Sequence, residues 1–235
     1  MKAKALQFGK AMSAALFVLL LVVVGSKNAL AQTQVATLQH GDDVSVFYGT
    51  NAFVEAHTAA ETGDIITLSS GTFVPTTITK AITLRGAGCM TDSITATLPT
   101  IIPGDFTINS ENDSIFFSCE GIYFTGQVRY KRLNAPNFIR CNFETFTDND
   151  NTNNTNMQNA QFVNCKFRYI AVSYRSSNTT FINCVSWKTS IHDFSVVAYN
   201  SIIRLNYWDA SAFTSINCIV GKVGNTGNNN NETIQ

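Results

Sequence analysis

Apolar residues recur in the second half of the chain as a phrase of four positions. Phe116-Phe117-Ser118-Cys119 is followed by Phe138-Ile139-Arg140-Cys141, Phe162-Val163-Asn164-Cys165 and Phe181-Ile182-Asn183-Cys184. Two weaker copies, Ala198-Tyr199-Asn200-Ser201 and Ser215-Ile216-Asn217-Cys218, complete the series. The last residues of successive copies stand 22, 24, 19, 17 and 17 positions apart. One apolar phrase at a period of about 20 residues predicts a solenoid, in which each repeat buries its face only against its neighbours. Short apolar runs bounded by Gly, Asn and Thr make the repeating element a β-strand rather than a helix.

The first half carries different patterns. Lys2, Lys4 and Lys10 precede the apolar run Ala14 to Val24, and Ala29-Leu30-Ala31 is a small-x-small cleavage site. This predicts a secretory leader over residues 1–31, with Gln32 as the mature N-terminus. The run is too short for a comfortable membrane span. The expected destination is outside the cell or on its surface, or the periplasm. Residues 32–63 read as a lead-in with a short strand at Val44 to Phe47 and a short helix after Asn51. Thr50 or Asn51 would cap that helix, and Ala52, Phe53, Ala56, Ala59 and Ala60 would be its apolar stripe. Two β runs follow, Asp64 to Phe73 and Ile78 to Gly88, and the repeat region extends over residues 64–223. Asp148 to Asn159, polar and Asn-rich, reads as a loop bulging from one corner. Residues 224–235, GNTGNNNNETIQ, bury nothing and read as a disordered tail.

The short Ala-rich helix, then Gly-Asp-x-Ile-x-Leu-x-x-Gly-x-Phe from Gly63 and Ile-Thr-Leu-x-Gly-x-Gly from Ile82, resembles the opening of right-handed parallel β-helix proteins. The chain is similar over about Thr50 to Gly224 to the pectin-lyase-like superfamily, in particular its secreted repeat-only bacterial members. The resemblance implies an all-β, right-handed parallel β-helix whose open N-terminal end is covered by the short helix. It also implies that the Asn of the Asn-Cys phrases, Asn164, Asn183 and Asn217, together with Asn200, stack as a ladder at one bend. The residues agree on their own terms, because Asn tolerates left-handed backbone and suits a tight turn between strands.

All six cysteines follow the leader. Cys119, Cys141, Cys165, Cys184 and Cys218 share one place in the phrase and are expected to form a buried column. Free stacked thiols, disulfides and a metal site are the three readings. Parallel stacked side chains have poor disulfide geometry, which favours thiols.

Counting from this column, Phe143, Phe167, Ser186, Ile203 and Val220 point inward. Ile122, Glu144, Arg168, Trp187, Arg204 and Gly221 then point outward on successive rungs, with Lys166 on the same sheet. Glu144 would pair with Arg168, and Trp187 would lie between two guanidiniums in a cation–π arrangement. An exposed Trp rimmed by Arg and Glu suits a sugar ring. An ordinary solvated sheet face with favourable cross-strand pairs accounts for the same residues.

Charge narrows the partner. The full chain balances 16 Lys and Arg against 16 Asp and Glu. Without the leader's four lysines the balance is 12 against 16, which disfavours nucleic acid. Enzymes of the resembled superfamily cleave polysaccharides, using an aspartate cluster for Ca²⁺ or paired carboxylates. Neither pattern falls on adjacent rungs here: Asp148 and Asp150 sit in the Asn-rich loop, and Asp193 and Asp209 are isolated. Arg129, Lys131 and Arg132 read as a solvated basic edge. No catalytic residue, metal site or cofactor is assigned. Three readings remain: a non-catalytic surface or adhesive module contacting a polysaccharide or cell-surface glycan, a small polysaccharide lyase or glycoside hydrolase, and a fragment of a larger surface protein. The uncapped C-terminal end adds an expectation of end-to-end self-association.

Overall fold

Stacked parallel strands are the consequence of the repeat. The computed structural model describes residues 34–109, 116–148, 156–172, 176–191, 195–208, 213–222 and 232–234. The leader, Asp150, Asp193 and Asp209 lie outside the described residues. The N-terminal strands are β1 (Val35–His40) and β2 (Asp43–Tyr48), followed by helix α1 (Ala52–Ala59). Next come β3 (Ile65–Leu68), β4 (Gly71–Thr72), β5 (Thr83–Arg85), β6 (Thr100–Ile102) and β7 (Phe106–Ile108). The middle of the chain supplies β8 (Ser118–Glu120), β9 (Ile122–Tyr130), β10 (Arg132–Asn134), β11 (Asn137–Ile139) and β12 (Asn142–Asp148). It continues with β13 (Asn156–Gln158), β14 (Gln161–Val163), β15 (Lys166–Val172), β16 (Thr179–Ile182) and β17 (Val185–Ile191). The last strands are β18 (Val196–Tyr199), β19 (Ile202–Trp208), β20 (Phe213–Ile216), β21 (Ile219–Lys222) and β22 (Glu232–Ile234).

These strands form a parallel β-solenoid of about seven turns. Each turn gives one strand to a sheet ordered β2-β1-β3-β5-β8-β11-β14-β16-β18-β20-β22 and one to a sheet ordered β21-β19-β17-β15-β12-β9-β6-β4. Strands β10 and β13 make a short third side. All pairings are parallel except those of β1, which runs antiparallel to both β2 and β3. The expected lead-in strand is thus one half of a hairpin whose other half, β1, the hydrophobic pattern does not announce. The polar loop is shorter than expected, since Asp148 ends β12 and Asn156–Gln158 form β13. The expectation of a structureless tail is corrected at Glu232–Ile234, which pair with β20.

The core is built from columns of rings. Phe106, Phe124, Phe143 and Phe167 stack at centroid spacings of 5.1, 5.2 and 5.1 Å. A second column runs Phe117, Phe138, Phe162, Phe181, and the two meet edge-to-face, as at Phe162–Phe167 (5.2 Å, 81°). Rung spacing near the contact distance of rings lets the central rings, such as Phe143 and Phe162, pack on a Phe both above and below.

The bend before the second sheet holds left-handed backbone on six successive rungs: Gly121 (φ 68°), Arg140 (52°), Asn164 (55°), Asn183 (53°), Asn200 (48°) and Asn217 (55°). Asn183 Nδ2 donates to Asn164 Oδ1 at 3.2 Å, and Asn217 Nδ2 to Asn200 Oδ1 at 2.7 Å. A second ladder lies at another bend, where Asn178 Nδ2 donates to Asn159 Oδ1 and Asn159 Nδ2 to Asn134 Oδ1. Asn159 and Asn178 are also left-handed.

This bend fixes the phase of the repeats and moves one cysteine. Phe138 pairs with Cys119, and Asn142 with Tyr123, so Ile122 and not Cys119 occupies the place below Cys141. The match of Phe116-x-x-Cys119 to the later phrases is therefore out of phase, because the left-handed residue of that rung is Gly121. Cys141, Cys165, Cys184, Ser201 and Cys218 do share the place. All six cysteines are free thiols. Each column thiol points at the carbonyl two residues back, as Cys165 Sγ does at Val163 O (3.4 Å) and Cys184 Sγ at Ile182 O (3.4 Å). Ser201 Oγ makes the same contact to Tyr199 O at 2.8 Å. The column is thus a stack of small bend-closing donors.

Helix α1 lies where expected and buries Ala52, Phe53 and Ala56. Two details differ. Asn51 occupies the N-cap with no side-chain cap bond, and Ala59 is exposed. The helix is instead held at its C-terminus by Lys80, whose Nζ donates to the carbonyls of His57 (2.9 Å), Thr58 (3.0 Å) and Ala60 (2.6 Å). A cation on the last carbonyls complements the helix dipole.

Two histidines of this cap titrate in opposite senses. His57 is buried, its Nε2 has no hydrogen-bond partner, and burial with the nearby Lys80 charge lowers its pKa. Its contribution is full above the unfolded-state value of about 6.5 and is lost as pH falls through the folded value. His40 Nδ1 lies 2.7 Å from the buried Asp64 carboxylate, and that hydrogen bond raises the His40 pKa. Its contribution is full below about 6.5 and is lost as pH rises through the folded value. Replacing His40 with Asn is therefore expected to steepen the loss of stability on going from about pH 7 to about pH 5, because His57 then titrates without its counterweight. Thermal melts across that range check it; parallel profiles for the two proteins would contradict it.

Candidate binding groove

The second sheet bends in mid-strand, and the bend makes the candidate site. On three rungs two outward residues stand between inward ones: Phe143-Glu144-Thr145-Phe146, Phe167-Arg168-Tyr169-Ile170 and Ser186-Trp187-Lys188-Thr189. Rung β9 has three, Thr125-Gly126-Gln127 between Phe124 and Val128, and β19 has one, Arg204 between Ile203 and Leu205. The pairing register shifts at both irregular rungs. Each central rung thus presents two neighbouring side chains to the same side, and the outer face carries a double ladder.

The double ladder lines an open groove of about 720 Å³. Its residues are Tyr123, Thr125, Gly126, Glu144, Thr145, Arg168, Tyr169, Trp187, Lys188 and Arg204. Glu144 accepts from Tyr123 Oη at 2.9 Å and from Arg168 Nη1 at 3.2 Å. The bond to Glu144 pushes the Tyr123 hydroxyl above the usual phenol range, so it stays a donor. Lys188 Nζ sits over the Tyr169 ring, 4.8 Å from its centroid. Trp187 is 61% exposed, with Arg168 and Arg204 on the rungs at either side.

Four of the five residues expected at a glycan surface, Glu144, Arg168, Trp187 and Arg204, therefore line one groove, and Glu144 pairs with Arg168 as expected. Lys166 is exposed on the same strand but does not line it. Ile122, expected as the first rung of the ladder, is buried, because the phase error at Cys119 displaces it; Tyr123 is the outward residue there. The cation–π contact expected at Trp187 is found one column over, between Lys188 and Tyr169. Strict alternation hid Tyr169, Lys188 and Thr145. The signal for them is the spacing of three, not two, between Phe143 and Phe146 and between Phe167 and Ile170. The basic residue Arg129 lies away from the groove and pairs with Asp105 at 2.9 Å.

Among the described residues, Glu144 is the one carboxylate lining the groove. Among the described residues no three His, Cys, Asp or Glu side chains gather as a metal site, and no helix is long and apolar enough to cross a membrane. Fold and groove together define the class: an all-β parallel solenoid with a charged and aromatic trough on one side. No protein-family model matches the chain, and no curated protein or solved structure matches it.

Proposed function

We propose that this chain is a secreted, non-catalytic β-helix module of pectin-lyase-like type that holds a glycan in the groove of the second sheet. The observation that carries this reading is Trp187, a large exposed apolar platform set between Arg168 and Arg204, with Tyr123, Tyr169, Glu144 and Lys188 at its margins. A sugar ring offers an apolar face for such a platform and hydroxyls for the flanking donors and acceptors. The groove is open, follows successive rungs and suits a polymer better than an enclosed small molecule. Glu144 is held by Tyr123 and Arg168, and among the described residues no second carboxylate lines the groove, which supports binding rather than glycosidic cleavage.

Electrophoresis of the purified protein through native gels containing plant, algal and host polysaccharides tests the proposal. Retardation in at least one polymer is expected, and Trp187→Ala is expected to abolish it, a loss of about tenfold or more in affinity for one aromatic platform. Trp187 is exposed, so the variant should fold and melt as the parent does. Cleared zones in the stained polymer would replace this reading with a depolymerising enzyme. Unaltered migration in every polymer would reject glycan binding.

A further inference from the structure

The N-terminal edge of the longer sheet is built unlike a protected edge. Among the described residues strand β2 is its last strand, and it is exposed along its length apart from Phe47. It carries no Lys, Pro or bulge, and its register with β1 is unbroken from Asp43 to Tyr48. Those are the usual devices that keep a sheet edge from pairing with another chain.

The orientation of its backbone follows from the hairpin. Gly41 and Asp42 form a two-residue turn closed by His40 and Asp43, and at the far end Gly49 N donates to Gln34 O at 2.8 Å. In an antiparallel pair the bonding residues alternate. Asp43, Ser45, Phe47 and Gly49 thus face β1 with their N–H and C=O groups. Val44, Val46 and Tyr48 turn theirs to the free edge. The same three residues carry the exposed apolar side chains, at 62%, 45% and 66%.

We infer that β2 is a self-pairing strand, and that two copies of this chain join antiparallel through it about a two-fold axis at Val46. In that register Val46 faces Val46 of a second copy, and Val44 faces Tyr48. Each facing pair exchanges both of its backbone bonds, since all three residues present theirs outward. Every exposed apolar side chain of the strand gains a cross-strand partner, and the outer pairs are aromatic against β-branched, a favourable combination. Charge is compatible too: the one charged residue of the strand, Asp43, falls opposite Gly49 of the second copy. The two Asp43 side chains are then about 20 Å apart, six residues of extended chain. A two-fold arrangement closes on itself and yields a dimer rather than a fibre. One strand pair is small beside the roughly 1,200–2,000 Å² of stable interfaces, so the dimer is expected to be weak.

Sedimentation equilibrium of the purified protein from about 1 μM to about 1 mM reads the association directly. The weight-average mass is expected to rise with concentration towards twice the chain mass. Val46→Lys places two like charges face to face on the axis and is expected to weaken dimerisation at least tenfold, with an unchanged melting temperature because Val46 is a surface residue. Amide hydrogen exchange supplies a second, independent reading. The amides of Val44, Val46 and Tyr48 should gain protection as concentration rises, whereas those of Ser45 and Phe47 should be protected throughout. A single species over the whole range, equal dimerisation of the Val46→Lys protein, or exchange at Val44, Val46 and Tyr48 that ignores concentration would each overturn the inference.

Discussion

Truncating Phe162 to alanine is expected to lower the stability of the chain by about 3–5 kcal/mol, the range for deleting a buried ring. Phe162 stands at the centre of the aromatic core. It stacks on Phe138 at 5.1 Å and on Phe181 at 5.3 Å, and the edges of Phe146 and Phe167 meet it at 5.2 Å. Its neighbours are themselves stacked along the solenoid, so they cannot close the space without opening gaps on the next rung. The upper part of the range is therefore expected. Phe181→Ala should cost less, because the column continues beyond it only as Ala198. Phe116, half exposed, should cost little. Denaturant midpoints of the three variants check the order. A Phe162→Ala loss below about 1 kcal/mol would mean that the core relaxes freely and that the stacked columns are not what holds the rungs together.

Gly126→Ala is expected to be almost as damaging, by about 3 kcal/mol, for a steric reason. A Cβ at this position would overlap the backbone carbonyl of Gly104, and backbone cannot swing aside as a side-chain end can. Gly104 is itself left-handed, with φ 72°, which fixes the loop that presses on β9. Gly126 is the middle of the three outward residues that widen that rung, so its backbone forms one end of the groove. The variant should therefore lose stability and also free the amides of β9 to exchange. Gly41→Ala is the useful contrast. A Cβ there meets nothing, so only the left-handed backbone (φ 58°) opposes it, at about 1 kcal/mol. Equal losses at Gly41 and Gly126 in chemical denaturation would show that the close approach is relieved by movement.

The repeat was legible because the same physical demand recurs on every turn. An inward ring, a left-handed residue and a small bend-closing side chain appear as Phe162-Val163-Asn164-Cys165 and again as Phe181-Ile182-Asn183-Cys184. The phrase misled where two of those demands were met by other residues. Gly121 turns the backbone of its rung, Ile122 fills the small-residue place, and Cys119 imitates the phrase three residues early. Arg140 turns its own bend with a side chain that pairs with Glu120, so it too escapes an Asn pattern. The second asparagine ladder was illegible because Asn134, Asn159 and Asn178 stand in dissimilar surroundings. The groove was half legible. Period-two reasoning finds one outward column, and the bend that adds Tyr169 and Lys188 changes the local period to three. Lys80 escaped for a different reason. Nothing within its own segment requires a cation, since the carbonyls it satisfies lie at a helix end 20 to 23 residues earlier.

The bend-based repeat has a consequence for how such a molecule varies. Lys166 to Cys184 is a complete rung, and its ends meet the preceding and following rungs through the same columns that those rungs would offer each other. Removing or duplicating it keeps the bend in step, since Asn164 and Cys165 have like residues at Asn183 and Cys184 and again at Asn200 and Ser201. The trough then changes in length by about 4.8 Å, one outward pair at a time, with no change in its width. The length of the trough is thus written in whole turns, while the chemistry at each step is written in two adjacent side chains, and the two can be altered separately.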